Sequence, residues 1–431
     1  MNILIQNGRV VDPASGLDVQ QDVAIASGRI IHMGRVSPEF KPNRVIDATG
    51  LVVAPGLVDL CARLGEPGHE HEGMLESELK AAAAGGITSV VCSPDTDPVL
   101  DEPGLVEMLK RRARKLSYCR LFAQGALTKG LQGEALTEMS ELTDAGCIAF
   151  GQADTPIVSL EVLLRAMRYA ATFNYTVWLQ PTHAQLGGGV AASGALATRL
   201  GLSGVPSIAE TIALYSIFEL AKASGVRLHI SRVSSAAGVE LVRQAKAQGL
   251  PVTADVSINS LHLTDADIKD FDAAYRVYPP LRQAADRQAL RDALAEGVID
   301  VLVSDHTPVD ADLKVLPFAQ AQPGAVGMEL LLGLALRWAK EEKLSMADAL
   351  ARITCIPVKV LGKSLGSLAA SAGQLTEGGV ADLCLFDPDK EWKVDMAGMA
   401  TQGKSTPFAG QTLTGQVQMT IVAGHIAYER G

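Results

Sequence analysis

Short apolar runs alternate with longer amphipathic segments through the middle of the chain. The apolar runs are Leu51–Leu64, Thr88–Cys92, Leu121–Leu127, Cys147–Phe150, Thr176–Leu179, Arg227–Val233, Val252–Val256 and Val301–Ser304. Runs of this kind predict strands, and intervening segments such as Leu75–Ala84 and Ile208–Ala223 predict helices. A capping box from Ser207 to Glu210 is expected at the start of one helix. The order indicates an α/β fold, a (β/α)8 TIM-type barrel, with a doubly wound open sheet as the alternative.

Both ends of the chain have a different pattern, in which short β-branched runs are separated by turn residues. Asn7-Gly8 separates two such runs near the start, and Ala381–Phe386 and Val417–Val422 are similar runs near the end. An Asn-Gly pair between strands predicts a hairpin. Because chain ends often lie close in space, we predict one small β domain from residues 1–52 and 366–431. The barrel is then expected over residues 53–365.

Composition and charge narrow the range of partners. The chain has 38 Lys+Arg and 48 Asp+Glu, so its formal net charge is −10. An acidic balance argues against nucleic acid and anionic membranes, which require a basic surface. No uninterrupted apolar run approaches the roughly 18–20 residues needed to span a bilayer, and no secretion signal is recognised at the start. The six cysteines are far apart, which favours reduced thiols in a cytoplasmic protein over a disulfide framework.

The expected C-terminal ends of the barrel strands, where such barrels carry function, contain recognisable motifs. Pro55–Gly68 and Ser93–Pro98 follow the first two strands, and Ser304–Pro308 follows the last. Further motifs are Arg276–Arg282 and, near the end, Ala381–Pro388 and Ser405–Gly410. Together these residues resemble dihydroorotases of the amidohydrolase superfamily over nearly the whole chain. Dihydroorotases use zinc to hydrolyse and close a cyclic amide, so the resemblance implies this chemistry for the family.

The resemblance also places most of the family's metal-ligand positions on residues of other types. Five of the six positions are substituted, and these are Cys61, Arg63, Gln152, Gln180 and Arg232. Asp305 alone remains. Zinc takes imidazole, thiolate or carboxylate donors, whereas a guanidinium offers no lone pair. Without a metal, water has no route to hydroxide near neutral pH, so we expect no metal, no cofactor and no catalytic residue.

Substrate positions implied by the resemblance differ as well. Gly65 and Asp95 replace an arginine and an asparagine that hold the substrate carboxylate, and Tyr278 replaces a second asparagine. Gly65 supplies no charge and Asp95 would repel a carboxylate. His306 is interpreted as a hydrogen-bonded relic of its motif.

The remaining polar residues have less specific interpretations. Arg63 and Arg232 are expected to replace the charge of the metal and to pair with Asp305, because an unpaired buried carboxylate is costly. Cys61 is expected to be a buried, inert thiol. The pair His69-x-His71 lies in a loop rich in glutamate, where a solvated surface is favoured over a metal site.

The resemblance extends to non-catalytic dihydroorotase-like chains that hold bacterial aspartate carbamoyltransferase in its working assembly. It implies a pseudoenzyme that acts as a structural subunit in pyrimidine biosynthesis, in a complex of six copies of each chain. One alternative is a rewired hydrolase with a single metal held by Cys61, Asp154, His183, His306 and Asp305. The other is a metal-free sensor in which Arg63 and Arg232 bind an anionic pyrimidine intermediate.

Overall fold

The structure, a computed structural model, describes residues 1–269 and 271–431. Its strands are β1 (Ile3–Gln6), β2 (Arg9–Asp12), β3 (Leu17–Gln20), β4 (Val23–Ala26), β5 (Arg29–Met33), β6 (Arg44–Asp47), β7 (Val52–Pro55), β8 (Leu57–Ala62), β9 (Ile87–Cys92), β10 (Arg120–Ala126), β11 (Cys147–Gly151), β12 (Thr176–Leu179), β13 (Ala191–Ala192), β14 (Gly204–Val205), β15 (Arg227–Ile230), β16 (Val252–Ser257), β17 (Val301–Val303), β18 (Leu383–Lys393), β19 (Thr412–Val422) and β20 (His425–Glu429). Its α-helices are α1 (Leu75–Ala84), α2 (Pro103–Leu116), α3 (Met139–Ala145), α4 (Leu160–Thr172), α5 (Ala195–Leu200), α6 (Ile208–Ser224), α7 (Ala236–Ala247), α8 (Ile258–His262), α9 (Ala284–Glu296), α10 (Ala311–Lys314), α11 (Leu331–Glu341), α12 (Met346–Ile353) and α13 (Cys355–Leu361). Short 3-10 helices cover Lys129–Leu131, Asp265–Ile268, Ala273–Tyr275, Met328–Leu330 and Gly362–Ala370.

Eight parallel strands form the central barrel, in the order β8, β9, β10, β11, β12, β15, β16 and β17. The sheet closes where β17 contacts β8 and where Ala62 forms a parallel bridge with His306. Each predicted apolar run overlaps one of these strands, with ends that differ by a residue or more in most cases. The (β/α)8 barrel is therefore confirmed, and the open-sheet alternative is wrong because the first and last strands meet.

The two chain ends build one small β domain. One sheet has the order β5-β4-β1-β6, and the other has the order β20-β19-β18-β7-β2-β3. Strands from both ends share one core, in which Ile3, Val53 and Leu385 are fully buried. The domain limits differ slightly from the predicted ones. All of β7 lies in the small domain, so the first limit falls after Pro55, and barrel packing continues to Ala372 rather than ending at residue 365.

Serine side chains cap several helices, but the predicted capping box is wrong. Ser159 and Ser235 each accept a hydrogen bond from a backbone N–H in the first turn of α4 and α7. Ser207 has helical backbone angles and caps nothing through its side chain. The buried carboxylate of Glu210 instead accepts hydrogen bonds from the backbone and hydroxyl groups of Ser234 and Ser235, at 2.5–3.0 Å. The four hydrogen bonds that Glu210 accepts beyond the end of β15 stabilise its carboxylate more than one hydrogen bond in a local capping box would.

The helical segment Met346–Ala370 is long and apolar enough to cross a membrane, by length and composition only. Such a segment was not predicted from the sequence, because only uninterrupted apolar runs were considered there. In the structure it is broken at Thr354, where the backbone has φ −131° and ψ −87°. Leu350 and Ile353 are fully buried, and α12 and α13 pack against barrel strands. Burial of this kind is typical of core helices, and we interpret the segment as part of the barrel wall.

Candidate functional site

Two arginines and three aspartates meet at the mouth of the barrel, each just beyond the C-terminal end of a strand. They are Arg63 after β8, Asp95 after β9, Asp154 after β11, Arg232 after β15 and Asp305 after β17. All except Arg232 line a cavity of about 230 Å³, together with Tyr278 and Asn259. The strand ends therefore bring opposite charges together where barrels of this type carry their active sites.

Arg232 is the buried centre of this cluster. Its Nη1 donates to Asp305 Oδ1 at 3.2 Å and to the carbonyl oxygen of Tyr278 at 3.2 Å. Its Nη2 donates to Asp154. The side chains of Arg232 and Asp305 are each only 4% exposed. The predicted pairing of Arg232 with Asp305 is confirmed.

Arg63 has different partners from those predicted. Its Nε donates to Asp95 Oδ2 at 2.8 Å, its Nη2 to Asp154 Oδ2 at 2.8 Å, and its Nη1 to Thr307 Oγ1 at 3.2 Å. The predicted pairing of Arg63 with Asp305 is therefore wrong, because all three nitrogens of the guanidinium are already engaged. Asp154 bridges both arginines, although the sequence suggested it only as a metal ligand in one alternative. The sequence predicted two cations but only one carboxylate to pair with them, and this imbalance was the signal that a further anion was missing.

The charges in the cluster stabilise one another. Burial alone would raise the pKa of Asp154, but the two guanidinium groups outweigh it and lower that pKa. Burial raises the pKa of Asp305, and Arg232 opposes the rise. The aspartates hold the pKa of both arginines above its ordinary value despite burial. Both guanidinium groups are therefore permanent cations with their charge already compensated.

Cys61 lies beside this cluster, with its Sγ 3.9 Å from Asp305 Oδ1. Like the other cysteines it is free. Burial raises the pKa of its thiol well above the ordinary value, and Arg232 only partly opposes that effect. The thiolate is the form that attacks electrophiles and binds metals. The residue is partly buried rather than fully buried as expected, and the raised pKa of its thiol agrees with the inert role expected for Cys61.

The two glutamines at former ligand positions differ: Gln152 turns away from the cluster, whereas Gln180 lies beside it. Gln152 Nε2 donates to Thr128 Oγ1 at 2.8 Å and to the carbonyl oxygen of Leu131 at 2.9 Å. Gln180 Oε1 accepts a hydrogen bond from the Tyr278 hydroxyl at 3.3 Å. Neither amide pairs with Asp305. Cys61, Arg63, Gln180 and Arg232 still line one small cavity, so the structure gathers four of the five substituted ligand positions and leaves Gln152 outside.

Gly65, at the position of a substrate arginine, has no room for any side chain. Its φ is +74°, and a Cβ built on it would lie 1.9 Å from the carbonyl oxygen of Gly73. Asp95, at the neighbouring substrate position, is paired with Arg63. The carboxylate anchors implied by the resemblance are thus replaced by a tight turn and an ion pair.

His306 is held in a buried hydrogen-bond network that joins the barrel to the C-terminal segment. Its Nδ1 accepts from the backbone N–H of Gly327 at 3.1 Å, so its Nε2 carries the proton and donates to Glu78 Oε2 at 2.7 Å. Glu78 also accepts from the Thr401 hydroxyl at 2.6 Å and from the backbone N–H of Gln402 at 2.9 Å. His306 is thus hydrogen-bonded as expected, and its being a relic of the motif stays a prediction.

The backbone at these strand ends is strained. Three residues here, Ala153, Arg232 and Asp305, have φ values of 49°, 55° and 51°. These values lie in the left-handed region that residues other than glycine rarely adopt. Asp255 Oδ1 accepts from the backbone N–H of Arg232 at 2.7 Å and helps to hold that conformation. Strained backbone of this kind clusters at functional sites, yet here the side chains of Arg232 and Asp305 pair with each other.

Comparison with known proteins agrees with the resemblance seen in the sequence. A family model described as dihydro-orotase-like matches residues 50–237. The chain is 44% identical to a dihydroorotase-like protein of Pseudomonas aeruginosa, over 100% of both chains. It belongs to the dihydroorotase-like family. It is also 38% identical to a dihydroorotase of Pelobacter propionicus, again over 100% of both chains.

The solved structures with the same architecture are more distant in sequence. An L-hydantoinase from Arthrobacter aurescens matches this dihydroorotase-like chain with a TM-score of 0.88 at 24% identity, covering 100% of this chain and 96% of that one. At this identity the likeness shows the shared fold alone. It supports the barrel and the small β domain as one conserved arrangement of the whole chain.

The barrel mouth of this dihydroorotase-like protein does not fit the zinc that the resemblance implies. Asp305, the one remaining ligand, is paired with Arg232. Burial raises the pKa of the Cys61 thiol well above its ordinary value, which disfavours the thiolate that a metal needs, and guanidinium groups stand at two other positions. A divalent cation placed there would be repelled by two guanidinium groups. It would find at most one ligand whose charge is not already compensated.

Proposed function

We propose that this chain is a catalytically inactive dihydroorotase homologue and serves as a structural subunit of aspartate carbamoyltransferase in pyrimidine biosynthesis. The observation that carries the proposal is the ion-pair cluster at the barrel mouth, in which Arg63 and Arg232 stand where the family's metal ligands are expected. Hydrolysis of an amide by water needs a Lewis acid or a strong general base. The cluster supplies neither, because its carboxylates are paired with cations.

A rewired hydrolase is less well supported. That alternative needs Cys61, Asp154, His183, His306 and Asp305 to share one ion. His306 donates to Glu78, and Asp154 is bound by both arginines. Moving these groups toward a common metal would break two buried networks.

A sensor for anionic pyrimidine intermediates is also less well supported. The cluster holds two guanidinium groups against three carboxylates, and Glu72 adds a further carboxylate to the wall of the cavity. A cavity with an excess of negative charge repels an anion. The arginines that would bind such a ligand already donate to aspartates.

The choice of partner rests on the sequence resemblance. A chain that keeps a complete barrel and small domain without hydrolytic chemistry is suited to a structural role. We expect a cytoplasmic complex with six copies of this chain and six of the transferase chain.

Two separate measurements test the two halves of the proposal. Purified protein supplied with zinc is assayed for dihydroorotate turnover beside an active zinc dihydroorotase, and we expect no activity above background. The chain is also co-expressed with the transferase catalytic chain, and the complex is sized by light scattering after chromatography. Turnover would contradict inactivity, whereas failure to co-purify in equal amounts would contradict only the assembly role.

A further inference from the structure

A second group of potential ligands lies on the loop between β8 and α1, at the rim of the cavity. His69 Nδ1 is 4.0 Å from Glu72 Oε2, and His71 Nε2 is 3.9 Å from Glu72 Oε1. One ligand atom from each of the three side chains lies within 4.8 Å of the others. Over residues 1–269 and 271–431, no other group of three His, Cys, Asp or Glu side chains comes this close.

Against the solvated loop favoured from the sequence, we propose that His69, His71 and Glu72 form a binding site for one divalent transition metal of the zinc class. Two imidazoles and a carboxylate are a donor set that zinc accepts, and three protein ligands leave one tetrahedral position open. Ligand atoms around a tetrahedral zinc with bonds of ~2.1 Å lie about 3.4 Å apart. The histidine side chains are 42% and 57% exposed, so small rotations of their side chains can close the remaining gap.

The loop is ordered by hydrogen bonds before any metal binds. The backbone N–H of His69 donates to the carbonyl oxygen of Gly65 at 2.7 Å, and the backbone N–H of Glu72 donates to the carbonyl oxygen of His69 at 2.9 Å. Gln402 Nε2 donates to the carbonyl oxygen of His71 at 3.0 Å. The turn therefore presents three side chains on one short segment at little further cost in backbone entropy.

Gln322 positions the carboxylate of the site. Its Nε2 donates to Glu72 Oε1 at 2.7 Å, and Glu72 is only 14% exposed. Ligating carboxylates are commonly held by such outer hydrogen bonds, whose loss weakens metal binding 10–100-fold. Gln322 is thus a positioning residue, and we expect Gln322→Ala to weaken zinc binding less than the loss of a ligand does.

The site is distinct from the ligand positions of the family. His69 and Glu72 line the cavity, but both lie on the rim loop beyond Gly65 rather than at the strand ends that hold Arg63 and Asp305. A metal bound here would pin the loop to itself and leave its open position to water or to a group from outside. Zinc found in the purified protein would then come from the rim, without restoring hydrolytic chemistry at the barrel mouth.

Zinc binding to the metal-stripped full chain tests the site by calorimetry and elemental analysis. We expect one zinc per chain, a loss of at least 100-fold in affinity for His71→Ala and for Glu72→Ala, and a loss of 10–100-fold for Gln322→Ala. His425→Ala, an exposed histidine on β20, is the matched control and should bind like the unaltered chain. Cobalt in place of zinc should give the strong visible absorption of a four-coordinate site.

Several results would overturn the site. They are an absence of binding by the unaltered chain, equal binding by His71→Ala, and loss of the metal in Cys61→Ala, which would place the ion at the barrel mouth. Dihydroorotate turnover by the zinc-loaded chain would contradict the proposed function and leave the rim site standing. The two proposals therefore fail on different measurements.

Discussion

Replacing Arg232 with methionine removes one of the two cations of the barrel mouth while keeping a side chain of similar length. Asp305, 4% exposed, then loses its partner at 3.2 Å. Two unit charges at this distance interact by about 5 kcal/mol at an effective dielectric constant of 20. Breaking a buried pair from one side costs about 3–5 kcal/mol, and we expect a loss in the free energy of unfolding within that range. Arg63 cannot compensate because its nitrogens are engaged by other groups.

A double-mutant cycle measured by urea unfolding separates this loss from simple packing. Asp305→Asn in the Arg232→Met background should recover about half of the loss, since a neutral amide needs no cation. Arg9→Met is the control, because the pair of Arg9 with Asp18 is about half exposed on both sides and should contribute less than about 1 kcal/mol. A loss below about 1 kcal/mol for Arg232→Met, or additive effects in the cycle, would refute the reasoning.

Three further predictions concern single positions. Gly65→Ala should lower the melting temperature strongly or prevent folding, because the new Cβ would overlap a backbone carbonyl. Gly50 is the control: it has a similar φ of +80° with open space around it, so Gly50→Ala should cost only about 1–2 kcal/mol. Glu78→Ala should cost about 3 kcal/mol in urea unfolding, because it leaves buried donors without an acceptor, while Glu76→Ala on the exposed face of the same helix should change stability by less than about 0.5 kcal/mol. Burial lowers the pKa of His262 to about 3 in the folded chain, so as pH falls below about 6.5 this imidazole is protonated in the unfolded chain but not in the folded one. Acid therefore favours unfolding, and His262→Gln should reduce the loss of stability between pH 6.5 and 5 by about 1–2 kcal/mol.

Each of these predictions has a result that would contradict it. Equal melting temperatures for Gly65→Ala and Gly50→Ala would mean that the loop relaxes around a Cβ. Equal unfolding midpoints for Glu78→Ala and Glu76→Ala would mean that water replaces the lost acceptor. An unchanged pH profile for His262→Gln would place the acid sensitivity of the chain on other groups.

The order of elements and the substituted chemistry were evident in the sequence. Strand and helix periodicities are local, so runs such as Thr88–Cys92 and Ile208–Ala223 predicted the barrel elements without knowledge of their neighbours. The types of residue at Arg63 and Arg232 excluded metal ligation from their own chemistry, because a guanidinium has no free lone pair in any environment.

The tertiary structure decided which groups face each other across the barrel mouth. Asp154 lies 91 positions from Arg63 and 78 from Arg232 along the chain, and only barrel closure brings the three together. The same is true of Glu210, which leaves a local cap to accept from Ser234 and Ser235. Local propensity sets the backbone of each element, but the pairing of buried charges depends on the distances between strand ends, which no single segment contains.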